Sequence, residues 1–108
     1  MKVYIAGPMT GKPNWNTEAF AEAERWYSDQ GHTVLNPASH TPRVNPESIT
    51  HEQYMKIALA MVDAVDLVVF LDGWEHSKGA QMEHDHAIRT GKMVDYASDW
   101  SQEVSHDD

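Results

Sequence analysis

The chain has 108 residues, no cysteine, four Trp, four Tyr and a formal charge of −9; that length fits one domain with one core, and it is short for a parallel α/β fold, so a homodimer or higher homo-oligomer is expected. The acidic balance excludes a nucleic-acid polymer held by counterion release, which needs a basic face. The lack of cysteine excludes disulfide and thiolate chemistry and suits a reducing cytoplasm, and the longest apolar run, Leu67 to Leu71, is too short to span a membrane.

Met1-Lys2 leads directly into Val3-Tyr-Ile-Ala6, a β-branched and aromatic run closed by Gly7-Pro8, which predicts a first strand rather than a signal segment. The following loop, Gly7 to Asn14, holds two Gly and two Pro. Asn16 is placed to cap a helix over about Thr17 to Gln30, with Ala19, Phe20, Ala23, Trp26 and Tyr27 on one face and Gly31 as its stop. Thr33 to Asn36 reads as a second strand, followed by a long polar loop containing Pro37, Pro42 and Pro46. Thr50 and Gln53 form a capping box for a helix in which Tyr54, Ile57, Ala58, Met61, Val62 and Val65 recur at helical spacing. Leu67 to Leu71 is a buried strand, Ser77 caps a helix from about Lys78 to Thr90 that Gly91 ends, and Met93 to Tyr96 is a last strand. Asp95, Asp99, Glu103, Asp107 and Asp108 all follow the last basic residue, Lys92, so the chain divides into a domain over 1–96 and a solvated acidic tail over 97–108.

Apolar strands alternating with helices predict a flavodoxin-like α/β domain: a parallel sheet of four to five strands, order about 2-1-3-4, with helices on both faces. Strands one and three then meet at the topological switch point, where ligands bind outside the carboxyl ends of the strands. That topology brings the Gly-rich loop and the helix carrying Glu83 to one crevice. At 100° per residue Glu83 lies among Gly79, Ala80 and Ala87, small neighbours that leave room for a ligand. The loop Gly7-Pro8-Met9-Thr10-Gly11 is either an anion cradle or a plain strand-to-helix connection. Ser77 either only caps its helix or also gives its hydroxyl to an anion, and Trp74 either stacks on a base or covers the crevice or a subunit contact. The loop is neither a Walker A sequence nor a complete dinucleotide fingerprint, so no cofactor is expected. His84 and His86 flank Asp85 but point about 200° apart on a helix, and no metal is expected.

Tyr4-Ile-Ala-Gly-Pro-Met-Thr-Gly11, Asn16 with Ala19-Phe20, Asn36-Pro37, Tyr54-Met55, and Gly73-Trp-Glu-His-Ser77-Lys-Gly79-Ala80 with Glu83 and Ala87 together resemble the nucleoside 2-deoxyribosyltransferase-like superfamily, in particular a branch of small phage and bacterial proteins. The resemblance spans about residues 2 to 96. It implies glycosyl transfer in which Glu83 attacks C1′ of a 2′-deoxyribosyl nucleoside or nucleotide, expels the base, and forms a glycosyl ester that water or a second base resolves. It further implies that Tyr4 orients Glu83, and that residues 7 to 11 and Ser77, with Gly79 beside it, hold a 5′-phosphate. Relatives specific for nucleosides carry Asp at the Ser77 position, which somewhat favours a phosphorylated substrate here. The chain departs from the pattern at Ala58, where the superfamily carries an Asp. Asp72 in the crevice loop is the candidate to compensate, Asp63 a poor one, and capture of a nucleotide or signalling metabolite without turnover is the alternative.

Overall fold

A computed structural model describes residues 1–9, 11–40 and 49–98. Among these residues, β1 (Lys2–Ala6), β2 (Thr33–Leu35), β3 (Leu67–Phe70) and β4 (Met93–Tyr96) form one all-parallel sheet in the order β2-β1-β3-β4. The intervening helices are α1 (Thr17–Ser28), a single-turn α2 (Pro37–His40), α3 (His51–Asp63) and α4 (Lys78–Arg89). This is the flavodoxin-like arrangement expected from the alternation of strands and helices, with the switch point between β1 and β3.

Strand parity divides the core between the two faces of the sheet. Val3, Ile5, Leu67, Val69 and Leu71 cluster with Phe20, Ala23 and Tyr27 of α1, whereas Tyr4, Ala6, Val68 and Phe70 cluster with Val62 of α3 and Ala87 of α4. Because side chains alternate along a strand, Tyr4 and Ile5 cannot share a face, and the apolar packing of Ile5 on α1 obliges Tyr4 to face α3 and α4.

The caps fix where the helices begin. Thr50 Oγ1 accepts the Gln53 backbone N–H at 3.0 Å while the Thr50 N–H donates to Gln53 Oε1 at 2.9 Å, the reciprocal box read from the sequence. Ser77 Oγ accepts the Ala80 N–H at 3.3 Å and starts α4 at Lys78, so that Ala80, Glu83 and Ala87 form its buried face.

Three local features differ from expectation. Asn16 stands in the cap position of α1 but its side chain caps nothing; its Nδ2 instead donates to the Pro8 carbonyl at 2.9 Å and ties the loop after β1 to the head of α1. Trp26 and Ile57 are each 42% exposed: Phe20, Ala23 and Tyr27 take the sheet contact of α1, and Ile57 stands at a cavity mouth. The segment after β2 starts with a turn of helix, because Asn36 Oδ1 accepts the Ala38 N–H at 2.9 Å while Asn36 Nδ2 donates to Glu24 Oε1 at 2.9 Å. Pro42 and Pro46 of the expected loop lie outside the described residues, as does most of the acidic tail.

Candidate functional site

Tyr4 comes from β1 and Glu83 from the buried face of α4, and the Tyr4 hydroxyl donates a hydrogen bond to Glu83 Oε2. Glu83 is only 6% exposed, and together with Asn36 it is one of two buried polar side chains among the described residues. Both members of the pair line a cavity of about 760 Å³. Its walls are Gly7, Pro8 and Met9 after β1, Thr50, Tyr54 and Met55 at the start of α3, and Ser77, Gly79 and Ala80 at the start of α4. Trp15 and Ile57, both well exposed, stand at its mouth.

Two close approaches shape these walls. A Cβ on Gly7 would fall 2.8 Å from Leu71 Cβ, so glycine lets the ends of β1 and β3 converge. At Gly79 a Cβ would meet Met55 Sδ at 3.3 Å, so its absence seats α4 closely against α3. Pro13–Asn16 form a short 3-10 turn in which Asn14, Trp15 and Asn16 have φ of 50°, 56° and 63°. Asn tolerates this left-handed region but Trp rarely adopts it. Hydrogen bonds from Asn14 Nδ2 to Thr17 Oγ1 at 2.8 Å and from Thr17 Oγ1 to the Asn14 carbonyl at 2.9 Å hold the turn, and with it Trp15 at the mouth.

Burial raises the Glu83 pKa to about 7, against a smaller lowering by the Tyr4 hydrogen bond. The Tyr4 phenol is pushed well above its ordinary range, by burial first and by the Glu83 charge second. Burial and the same charge raise Tyr54 to about 12. At neutral pH the site therefore holds two neutral phenols and a carboxyl group poised between its two forms, an arrangement typical of acid–base or nucleophilic sites. Among the described lining residues Glu83 is the lone carboxylate, whereas His51, His76 and Lys78 all line the cavity around the N-terminus of α4. That end of the cavity favours an anion.

Of the residues expected at the site, Glu83, Tyr4, Gly7, Pro8, Met9, Ser77 and Gly79 line one cavity. Gly11 is exposed and outside that lining, and Thr10 lies outside the described residues. Asp72 is exposed and also outside the lining. Trp74 likewise does not line it: its ring stacks on His84 with centroids 4.2 Å apart, and His84 Nε2 lies 2.8 Å from Tyr96 Oη. The two residues weighed as substitutes for an acid at position 58 are thus both elsewhere, since Asp63 Oδ1 pairs with His86 Nε2 at 2.7 Å on the exposed side of α3 and α4. Ala58 is fully buried. Sequence reading missed Tyr54 and Trp15 as lining residues. Their signals were a hydroxyl on an otherwise apolar helical face and a Trp set between two Asn.

A parallel sheet with a buried acid beneath its switch-point crevice defines a small flavodoxin-like α/β domain with a ligand-sized site. A family profile matches residues 1–96, and the chain belongs to that family, a domain of unknown function designated DUF4406. Comparison with curated proteins gives no match. No helix among the described residues is long and apolar enough to cross a membrane.

Proposed function

We propose that the protein cleaves or transfers the N-glycosidic bond of a 2′-deoxyribosyl nucleotide, with Glu83 as nucleophile. The observation that carries this reading is the buried Tyr4–Glu83 pair lining a cavity of about 760 Å³, a size suited to a nucleotide. Ionised Glu83 attacks C1′, a C–O bond forms, and the C1′–N bond breaks with its electron pair going to the base. Water or a second base then attacks the glycosyl ester and returns the carboxylate. Tyr4 holds the attacking group in place. Ser77, Lys78 and the open N-terminus of α4 support a 5′-phosphate, and Trp15 offers an aromatic face at the mouth. The protein acts in this reading as a cytoplasmic homodimer, with Ile88 and Met93, 53% and 55% exposed, as available apolar surface; light scattering checks its mass.

Incubation with a panel of 2′-deoxynucleoside 5′-monophosphates should release free base, detected by chromatography, and Glu83→Ala should abolish release. Equal release by wild type and variant overturns the reading. One observation favours a second reading, capture of a nucleotide without turnover: the lining holds no second carboxylate among the described residues. Calorimetry then detects binding in solutions from which no base appears on long incubation.

A further inference from the structure

Among the described residues that line the cavity Glu83 is the lone carboxylate, so stabilising the departing base falls to another group. Tyr4 is already committed, because its hydroxyl donates to Glu83. Tyr54 is not. It lies one turn before the buried Ala58 on α3, it lines the cavity with Glu83, and its hydroxyl donates only to Met9 Sδ, at 3.7 Å, among the described residues. A thioether is a weak acceptor, so this donor is readily given up to a better one. The backbone beneath it is fixed, since the capping box closes the first turn and the Tyr54 N–H donates to the Thr50 carbonyl at 2.9 Å.

The placement suits a leaving group. In a displacement at C1′ the base departs from the side opposite the nucleophile, so a donor that serves it must come from an element other than α4. Tyr54 comes from α3, its hydroxyl reaches Met9 in the loop after β1, and it lines the same cavity as Glu83 of α4. The phenol is neutral across the physiological range, because burial and the Glu83 charge both raise its pKa. It can donate a hydrogen bond throughout.

We propose that Tyr54 is a catalytic residue that donates its hydroxyl hydrogen bond to the departing base, a part that a second carboxyl group would otherwise play; this rests on the glycosidic reading above. As the C1′–N bond breaks, the electron pair moves onto the base, Tyr54 stabilises the developing charge, and water supplies the proton that leaves with the base. No oxidant or metal is required.

The test compares wild type, Tyr54→Phe and Glu83→Ala on 2′-deoxynucleoside 5′-monophosphates of pyrimidine and purine bases, each paired with a ring-halogenated counterpart that leaves more easily. Tyr54→Phe should lower kcat by about ten- to a hundredfold on the natural base and by clearly less on the halogenated one, with KM nearly unchanged. The phenylalanine ring keeps the packing, and an unaltered melting temperature shows that the variant folds. Equal losses within each pair, or no loss, overturn the role of Tyr54 while Glu83-dependent release by wild type leaves the glycosidic reading standing. Absence of any base release by wild type overturns both.

Discussion

Glu83 carries a cost that pH should expose. Its folded-state pKa is raised to about 7 from an ordinary 4.5, so between those values the folded protein holds a proton that the unfolded chain has lost. The protonated acid's stability contribution is fully present below the lower value, declines as pH rises to about 7, and changes no further above it. The decline is on the order of 3 kcal/mol. Glu83→Gln should therefore match wild type near pH 4 and exceed it by about that amount near pH 8, since a neutral amide oxygen still accepts from Tyr4 without a charge to bury. Urea unfolding at the two pH values measures the difference, and a constant offset would refute the burial account. The Tyr4 hydrogen bond acts on Glu83 in the opposite sense to its burial. Removing the donor that lowers the Glu83 pKa should move the carboxyl titration above about 7, followed by NMR of the labelled Glu side chain, whether or not the protein turns over a substrate. An unmoved or lowered titration would mean that Tyr4 only fills space.

At the level of elements, the ends of β1 and β3 are drawn together by the Leu71 N–H donating to the Ala6 carbonyl at 2.9 Å, and Gly7 leaves the space that this needs. Gly7→Ala should cost about 1 to 3 kcal/mol by overpacking against Leu71, read as a lower urea midpoint. The pairing of α3 with α4 through Asp63 and His86 is a different matter. It is solvent-exposed, with Asp63 59% open, so Asp63→Ala should cost under about 1 kcal/mol and leave base release at the wild-type rate. A large loss of release would return Asp63 to the site as the substitute for the missing acid. The long elements were legible because period and punctuation agree in them: Thr50 and Gln53, Ser77, Gly31 and Gly91 mark ends that the apolar spacing already suggests. The left-handed turn Asn14–Asn16 and the turn of helix after Asn36 were not, because side-chain bonds to Thr17, to the Pro8 carbonyl and to Glu24 hold them rather than any periodic pattern.

Across the whole molecule, the position of the site follows from two facts available in the sequence, strand parity in β1 and the cap that phases α4, which together bring Tyr4 to Glu83. The rest of the site depends on distance across the fold. Trp74 was open to stacking on a base or to covering the crevice or a subunit contact, and the apolar surface of Phe70 and the rings of His84 and Tyr96 give it a packed partner set that local spacing does not reveal. The same long-range packing continues to Ala97, near the end of the described residues. Asp95 accepts a hydrogen bond from Tyr27, Tyr96 packs on Phe70 with centroids 6.0 Å apart, and Ala97 packs against the cluster of Ile5, Phe20 and Leu71. Ser98 is exposed. A chain ended after Ser98 loses four acidic residues, moving its formal charge from −9 to −5, and keeps every side chain of the three core clusters. Its melting temperature should stay within about 2 °C of the full chain. Ending the chain after Val94 instead removes the partners of Tyr27, Phe70 and His84 and half of β4, and should lower the melting temperature by 10 °C or more, on the order of 2 kcal/mol or above. Equal stability of the two shortened chains would show that the sheet closes without β4, and a large drop on removing 99–108 alone would place part of the domain's packing beyond residue 98.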